Sequence, residues 1–445
     1  RCSRFLSLWL LAGASVLGAN PVLESVYSAE VVRMVPDPSR PWAIPATEEV
    51  LGTATLIAGS SPLFLTDYHL VRNATSILIK KDGQSLPARV EFLAADAGIA
   101  VLRTLESPGK RGLLLDDQEG DISAVMVYGY RSPGVIGQVA TVVSAAERQL
   151  LPGSDVDRRS LLRLDQMPDI PGFRGGPVLQ QDRLVAVVLA TDRGKIALRA
   201  AEIRHVLADI ADGKYDGFPD PGVVYRSLTG AAERKHFGLE RTIGGIYLSR
   251  ISRQSSFASR LKSGDILYEI NRNPINTYGE VVLPLRRFDF PEYLATQQKG
   301  ALPAKIIRNG EKYGLMLDIS ALPSNDLRRE RPLALRRFFG GAGLIFQEVD
   351  FEIIHQLAPK RSRLRYRYTN FLSEDLSREV DADVALIDVL PDSINRGSQA
   401  FRLKIVEAIN GERVRSLDHL VSEWKRSQGR FIVLKFLDES TVLSL

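Results

Sequence analysis

Between Glu48 and Ala190 the chain is a succession of short apolar segments closed off by glycine, proline or aspartate, and this pattern constrains the fold more than any other. Leu51 to Ala58, Leu63 to Val71, Ser76 to Ile79, Leu86 to Leu93, Ser123 to Tyr130, Gly137 to Ser144, Leu161 to Leu164 and Leu184 to Leu189 all have strand length. Asp82-Gly83, between two of them, is a two-residue hairpin signal. Strands so regularly spaced favour a closed barrel or a sandwich. The one good helix in this half is its end, Arg199 to Ala211, with Ile203, Val206, Leu207 and Ile210 on one face. Gly213 to Pro221, rich in Gly, Pro and Asp, then marks a domain boundary.

The remainder contains an internal repeat. Ile266 to Asn271, running on to Ile275, matches Ile405 to Asn410, running on to Val414, without a gap. After the second copy Ser416 caps a helix whose Leu417, Leu420, Val421 and Trp424 fall on one face, and Phe431 to Leu437 with Thr441 to Leu445 form a hairpin. After the first, the hairpin is Ala304 to Arg308 and Tyr313 to Ile319 around Asn309-Gly310. Two α+β modules are expected. Between the copies lie basic runs, Leu327 to Phe339 and Lys360 to Arg367, read as solvated faces or linkers because the acidic stretch Glu374 to Asp383 is near.

Charge and cysteine content narrow the chemistry. Lys plus Arg at 58 against Asp plus Glu at 53 leaves a net charge of +5 over 445 residues, too dilute to argue for nucleic acid. One cysteine, Cys2, excludes an internal disulfide framework and a thiolate zinc site, and the five histidines have no ligand spacing. No metal or other cofactor is expected. At the start, Arg1 and Arg4 precede an apolar run from Phe5 to Leu17, which reads as an export signal shorter than the roughly 20 residues a membrane span needs. Cleavage is expected after Gly18 or Ser28, and the leader region is assigned to residues 1–29.

Two further segments carry the chemistry. Thr66-Asp67-Tyr68-His69-Leu70-Val71 follows a strand, and Gly172-Phe173-Arg174-Gly175-Gly176-Pro177 precedes another. Here the sequence resembles the HtrA/Deg family of trypsin-like serine proteases with PDZ domains, from about residue 48 to the C-terminus, and its last part looks most like the plant Deg branch. The resemblance implies a mainly β protein: a chymotrypsin/trypsin-like double β-barrel over residues 30–213, a first PDZ-like domain over 221–321, a basic linker over 322–340 and a second PDZ-like domain over 341–445. It also puts His69 at the general base, Gly98 of Ala97-Gly98-Ile99-Ala100-Val101-Leu102 at the orienting aspartate, Arg174 at the nucleophile and Gly172 in the oxyanion-hole turn.

Gly98 has no carboxylate, and Asp96, two residues upstream, lies about 6.5 Å away if the segment is a strand. Arg174 has no lone pair with which to attack a carbonyl. His69 is then a vestigial base, read as a hydrogen-bonded histidine at a barrel seam. Arg174 is expected to seal the cleft by pairing with Asp96, Asp165 or Asp169, and Ser144 and Ser160 are the hydroxyls from which a relocated nucleophile would come. Restoring serine at 174 and aspartate at 98 is expected to recover hydrolysis in an otherwise intact barrel.

The PDZ resemblance places carboxylate-binding loops at Gly222, Val223 and Val224 and at Gly343, Leu344 and Ile345, with the insert from Asp350 to Asp383 covering the second groove. The expected function is that of an exported pseudoprotease, periplasmic or otherwise extracytoplasmic, that binds polypeptide C-termini or unfolded protein, or scaffolds an active HtrA/Deg relative. Family resemblance adds self-association into a homo-oligomer. The alternative is a serine endopeptidase with an unconventional triad; a third is a purely structural envelope protein.

Overall fold

A computed structural model describes residues 21–445 except 60–61, 117–121, 155–156, 190–194, 240–243, 253–254, 285–286, 322–329, 331–332, 334–335, 358–381, 428–430, 438–441 and 445. After a helical turn, α1 (Pro21–Glu24), the first barrel is built from β1 (Val26–Val35), β2 (Ala46–Ile57), β3 (Leu63–Asp67), β4 (Ala74–Lys81), β5 (Gln84–Ala94) and β6 (Ile99–Thr104). It closes in the order β1-β2-β3-β6-β5-β4. The second barrel, β7 (Ala124–Ser132), β8 (Val135–Leu150), β9 (Arg158–Leu164), β10 (Pro177–Gln180), β11 (Arg183–Leu189) and β12 (Ile196–Arg199), closes as β10-β11-β12-β9-β8-β7. Closure leaves neither sheet with an unpaired edge.

Each barrel fills its own interior, the first with Tyr27, Val31, Leu56, Phe64 and Ile79, the second with Val127, Leu162, Phe173, Val178 and Val185. A third cluster, including Val26, Leu65, Ile99, Tyr128, Leu161 and Leu189, is shared between them and forms the seam. One expected strand is divided: Leu63 to Val71 stops at Asp67, whose carboxylate accepts the Leu70 N–H at 3.0 Å and starts the helical turn α2 (Tyr68–Val71) that carries His69.

The leader expectation needs correction at its inner end. Val22 and Val26 are buried, and β1 pairs with β2 from Val26↔Thr55 to Val35↔Ala46, so a cut after Ser28 would remove the start of a barrel strand. The barrel therefore begins before residue 30. The apolar run Phe5 to Leu17 lies outside the described residues.

Helix α3 (Ala200–Asp209) packs back on the second barrel and leads to the first module. That module comprises β13 (Val223–Ser227), α4 (Ala231–His236), β14 (Ile246–Ile251), β15 (Ile266–Ile270), β16 (Asn273–Pro274), β17 (Glu280–Val282), β18 (Arg287–Asp289), α5 (Phe290–Ala295), β19 (Gly300–Arg308) and β20 (Glu311–Ile319). Its main sheet runs β13-β14-β15-β19-β20. The second module has β21 (Phe338–Gly341), β22 (Leu344–Glu348), β23 (Val384–Val389), β24 (Lys404–Ile409), β25 (Glu412–Arg413), α6 (Leu417–Arg426), β26 (Val433–Phe436) and β27 (Val442–Ser444), ordered β21-β22-β23-β24-β26-β27.

The repeat read from the sequence becomes β15 and β24, third from the start of one sheet and fourth of the other. Each ends in an asparagine, Asn271 (φ 49°) and Asn410 (φ 50°), in the left-handed region that asparagine tolerates in tight turns. The offset of one strand arises because β21 has no counterpart in the first module. As expected, Ser416 caps α6, accepting the His419 N–H at 3.1 Å. The basic run Lys360 to Arg367, and most of the insert and acidic stretch around it, lie outside the described residues.

Candidate functional site

His69 sits on α2 at the barrel seam with its side chain mostly covered. Its Nε2 lies 3.2 Å from the Pro152 carbonyl oxygen and its Nδ1 lies 3.5 Å from Oε2 of Glu330. Both ring nitrogens thus face acceptors. No hydroxyl is a hydrogen-bond partner of His69 among the described residues. Ser160 is in β9, its N–H bonded to Glu202 at 3.1 Å, and Ser144 lies exposed on β8.

Gly98 occupies a turn before β6, not the strand assumed from the sequence, with φ at +74°. A Cβ there would come 3.1 Å from Cδ1 of Leu189 and 3.4 Å from Cδ2 of Leu151, so the place is walled by hydrocarbon. Asp96, in the same turn, serves something else. It accepts from the Tyr215 hydroxyl and, at 2.8 Å, from the Phe218 N–H, while Arg159 lies 3.7 Å away and stacks over the Phe218 ring at 3.8 Å. Asp96 therefore ties the 213–221 connector to the barrels, and burial beside this carboxylate pushes the Tyr215 hydroxyl well above its ordinary pKa.

The Gly172–Pro177 turn is held from the other barrel by three threonines. Thr53 Oγ1 donates to the Gly172 carbonyl at 2.6 Å, Thr55 Oγ1 to that of Gly175 at 2.9 Å, and the Thr53 N–H to that of Arg174 at 2.8 Å; Thr66 Oγ1 braces Thr53 at 2.8 Å. A Cβ on Gly172, Gly175 or Gly176 would collide with the carbonyl oxygens of Tyr130, Thr53 and Tyr128. That contact requires glycine whatever the chemistry.

The turn does not present a formed oxyanion hole. Pro171–Phe173 is a single 3-10 turn in which the Arg174 N–H donates to the Pro171 carbonyl at 3.1 Å, so the amide at the nucleophile position points back into its own loop. The Arg174 side chain is half-buried, and among the described residues no carboxylate lies within ion-pair distance of it. The expected seal by Asp96, Asp165 or Asp169 is not formed; Asp96 is committed to the connector.

Of the two expected peptide loops, one lies at an open edge. Gly222 (φ +57°) immediately precedes β13, the terminal strand of its sheet, and Val224 is 42% exposed. The Gly222 N–H is taken by Asp220 Oδ1 at 2.8 Å, and its carbonyl accepts from the Ser252 N–H at 2.8 Å. On β13 itself, Tyr225 meets Phe290 of α5 edge to face at 5.7 Å. Glu292 of the same helix reaches Arg148 of the second barrel at 3.6 Å, and burial raises the pKa of Glu292 and lowers that of Arg148.

The other expected loop is not a loop at an open edge. Ala342 (φ +50°) and Gly343 (φ +74°) make the two-residue hairpin turn joining β21 to β22. The Gly343 carbonyl accepts from the Leu390 N–H at 2.7 Å, and Asn395 Nδ2 donates to the Ala342 carbonyl at 2.8 Å. Leu344 and Ile345 are buried in β22, which pairs with β21 on one side and β23 on the other. β21 thus fills the edge that β13 leaves open in the first module. It is packed there by Trp424 of α6, whose ring leaves no room for a Cβ on Gly341 and meets Phe339 at 5.5 Å. Nothing in the sequence short of the strand pairing itself would have revealed this.

Among the described residues no group of three His, Cys, Asp or Glu is placed to hold a metal ion, and no helix is long and apolar enough to cross a membrane. Two closed six-stranded barrels meeting at a seam, followed by two PDZ-like modules, define a trypsin-type protease fold with appended PDZ-like domains.

Known proteins place it further. A PDZ-domain family profile matches residues 329–444, beginning before 341 and so taking in β21. The putative protease Do-like 3, mitochondrial, of Arabidopsis thaliana is 24% identical over 420 residues, which span 89% of this chain and 71% of the relative. The chloroplastic protease Do-like 2 of the same plant is 25% identical over 449 residues, 94% of this chain and 70% of the relative. The probable periplasmic serine endoprotease DegP-like of Pseudomonas putida is 25% identical over 288 residues, 62% and 57% respectively. Among solved structures, the HtrA-type protease AlgW with decapeptide superposes with a TM-score of 0.52 at 19% identity, covering 68% of this chain and 98% of that one, a likeness of fold. Along most of its length the chain is similar to proteases of the HtrA/Deg type.

Proposed function

We propose that this chain is a catalytically silent HtrA/Deg-type protein whose work is to bind polypeptide. The observation that carries this reading is the seam. A guanidinium stands at the motif's nucleophile position, the amide beside it is folded onto Pro171, and His69 faces a carbonyl and a carboxylate in place of a hydroxyl. Removing the nucleophile of a serine protease costs roughly a millionfold in turnover.

Binding is supported by the first module. β13 is a sheet edge with Val224 exposed beside a glycine-led entry, which suits an extended peptide added as a further strand with its terminal carboxylate near Gly222 to Val224. Gly343 to Ile345 are not proposed for this role, because β21 already pairs with β22. The test uses the full chain: fluorophosphonate labelling, digestion of unfolded casein, and binding of peptides with free or amidated C-termini. We expect no label, no digestion and at least tenfold weaker binding of the amidated form. Labelling of any side chain, or indifference to amidation, overturns the reading.

Export is proposed on the basic-then-apolar segment Arg1 to Leu17, in keeping with relatives whose names place them in mitochondria, chloroplasts or the periplasm. N-terminal sequencing of the mature protein from fractionated cells tests this, and an intact leader on cytosolic protein counts against it. Self-association, proposed from the family, is tested by sedimentation; a monomer at micromolar concentration refutes it.

A further inference from the structure

A buried cluster of charge lies against His69, drawn from three parts of the chain. Arg72, one residue beyond α2, pairs with Glu330 and lies 3.5 Å from Oε1 of Glu352. Arg336 pairs with Glu352 and lies 3.3 Å from Asp350. Glu330 is held in the manner of a bound ligand. Its carboxylate meets the Arg72 guanidinium and the His69 ring, and its N–H donates to the Gly153 carbonyl at 3.1 Å. Three residues on, the Leu333 N–H donates to Asn73 Oδ1 at 2.8 Å. Gly153 makes the space: a Cβ there would come 2.7 Å from Cδ of Glu330 and 2.9 Å from Cε1 of His69.

We propose that the barrel face formed by His69, Arg72, Asn73 and Gly153 is a binding site for a polypeptide segment that presents a single glutamate, and that Glu330, which Arg329 and Arg331 flank in the sequence, is its resident ligand in cis. A guanidinium and an imidazole converging on one carboxylate select charge, and the Glu330 N–H at the Gly153 carbonyl and the Leu333 N–H at Asn73 Oδ1 fix the main chain that carries it. The site is distinct from the β13 edge and stands whether or not the barrel turns over substrate. A ligand tethered in cis acts at an effective concentration on the order of millimolar, so a free peptide competes only when the resident carboxylate is lost or another partner draws the segment away.

The test uses the full-length chain and a fluorescent peptide with the sequence of residues 328–335, alongside the same peptide with glutamine at the Glu330 position. On the Glu330→Gln chain the glutamate peptide is expected to bind at least tenfold tighter than the glutamine peptide, and Arg72→Gln is expected to abolish the difference. Equal affinities on the Glu330→Gln chain overturn the proposal. A second measurement does not depend on those variants folding. In a Cys2→Ser background, Asn73→Cys with Leu333→Cys should form a disulfide on mild oxidation of the native chain; a pair that stays reduced also overturns it.

Discussion

Gly98→Asp is the substitution that most directly asks whether the old catalytic geometry can be rebuilt. Two costs follow from the structure. With φ at +74°, any side chain brings backbone strain of about 1 kcal/mol, aspartate tolerating this region better than most. The new carboxylate would also enter a wall made by Leu151 and Leu189, where an unpaired buried charge costs several kcal/mol. A combined loss of about 5 kcal/mol is a large part of the ~5–15 kcal/mol that holds a domain folded, and lowers Tm by roughly 10–20 °C in one of 150–250 residues. Arg174→Ser alone removes a half-buried side chain with no ion-pair partner among the described residues, and is expected to shift Tm by less than ~3 °C. The double variant should fold weakly and still hydrolyse no casein, because the residue 174 amide remains bound to Pro171 and His69 remains between Pro152 and Glu330. Scanning calorimetry with fluorophosphonate labelling decides it. A Gly98→Asp protein as stable as the parent, or a double variant that labels at residue 174, refutes the reasoning and restores the simpler expectation drawn from the sequence.

Three further outcomes are expected. Burial outweighs the neighbouring Arg336 and Arg72 and, helped by Asp350 and Glu330, pushes the Glu352 carboxyl up to about 7. A raised carboxyl pKa stabilises the fold fully below about pH 4.5 and loses that contribution as pH rises through about 7, so the unfolding free energy from urea titrations should fall over this window by on the order of 3 kcal/mol, and Glu352→Gln should flatten the profile. Gly343→Ala forces a Cβ to within 2.5 Å of the Leu390 carbonyl oxygen at positive φ and should cost about 2–3 kcal/mol, whereas Gly310→Ala, at positive φ in open space, should cost about 1. Asp96→Ala strands the Tyr215 hydroxyl and the Phe218 N–H and should cost about 2–4 kcal/mol, with faster proteolytic nicking between Gly213 and Pro221; unchanged nicking would show that the connector is held by other contacts.

Much of the architecture was legible because it is local. The strand series, the Asp82-Gly83 turn, the repeated strand ending in Asn271 and Asn410, and the Ser416 cap each depend on neighbours a few residues apart, where period and turn chemistry act. What stayed hidden depends on residues far apart in the chain. Arg72 and Glu330 are separated by 258 positions, and no pattern near His69 announces the carboxylate that meets it. The start of β1, Val26 to Ala29, falls in the expected leader because an apolar stretch next to an export-type segment looks like more of the same. Phe338-Phe339-Gly340 reads as the end of a linker because only pairing with β22 makes it part of a strand.

The glycines of the Gly172–Pro177 turn bring both kinds of information together. They match a protease motif, which from the sequence suggests an oxyanion hole kept without its nucleophile. In the fold, Gly172, Gly175 and Gly176 are where one barrel's backbone presses on carbonyls of the other strands, with Thr53, Thr55 and Thr66 bonding the turn across the seam. A side chain on Gly175 would push the barrels apart and one on Gly172 or Gly176 would press on β7 of the same barrel, while the chemistry needs only the amides to point outward, and here one of them points back to Pro171. The motif's glycines are therefore accounted for by packing. Matching the turn is evidence for the double barrel and carries no weight as evidence for catalysis.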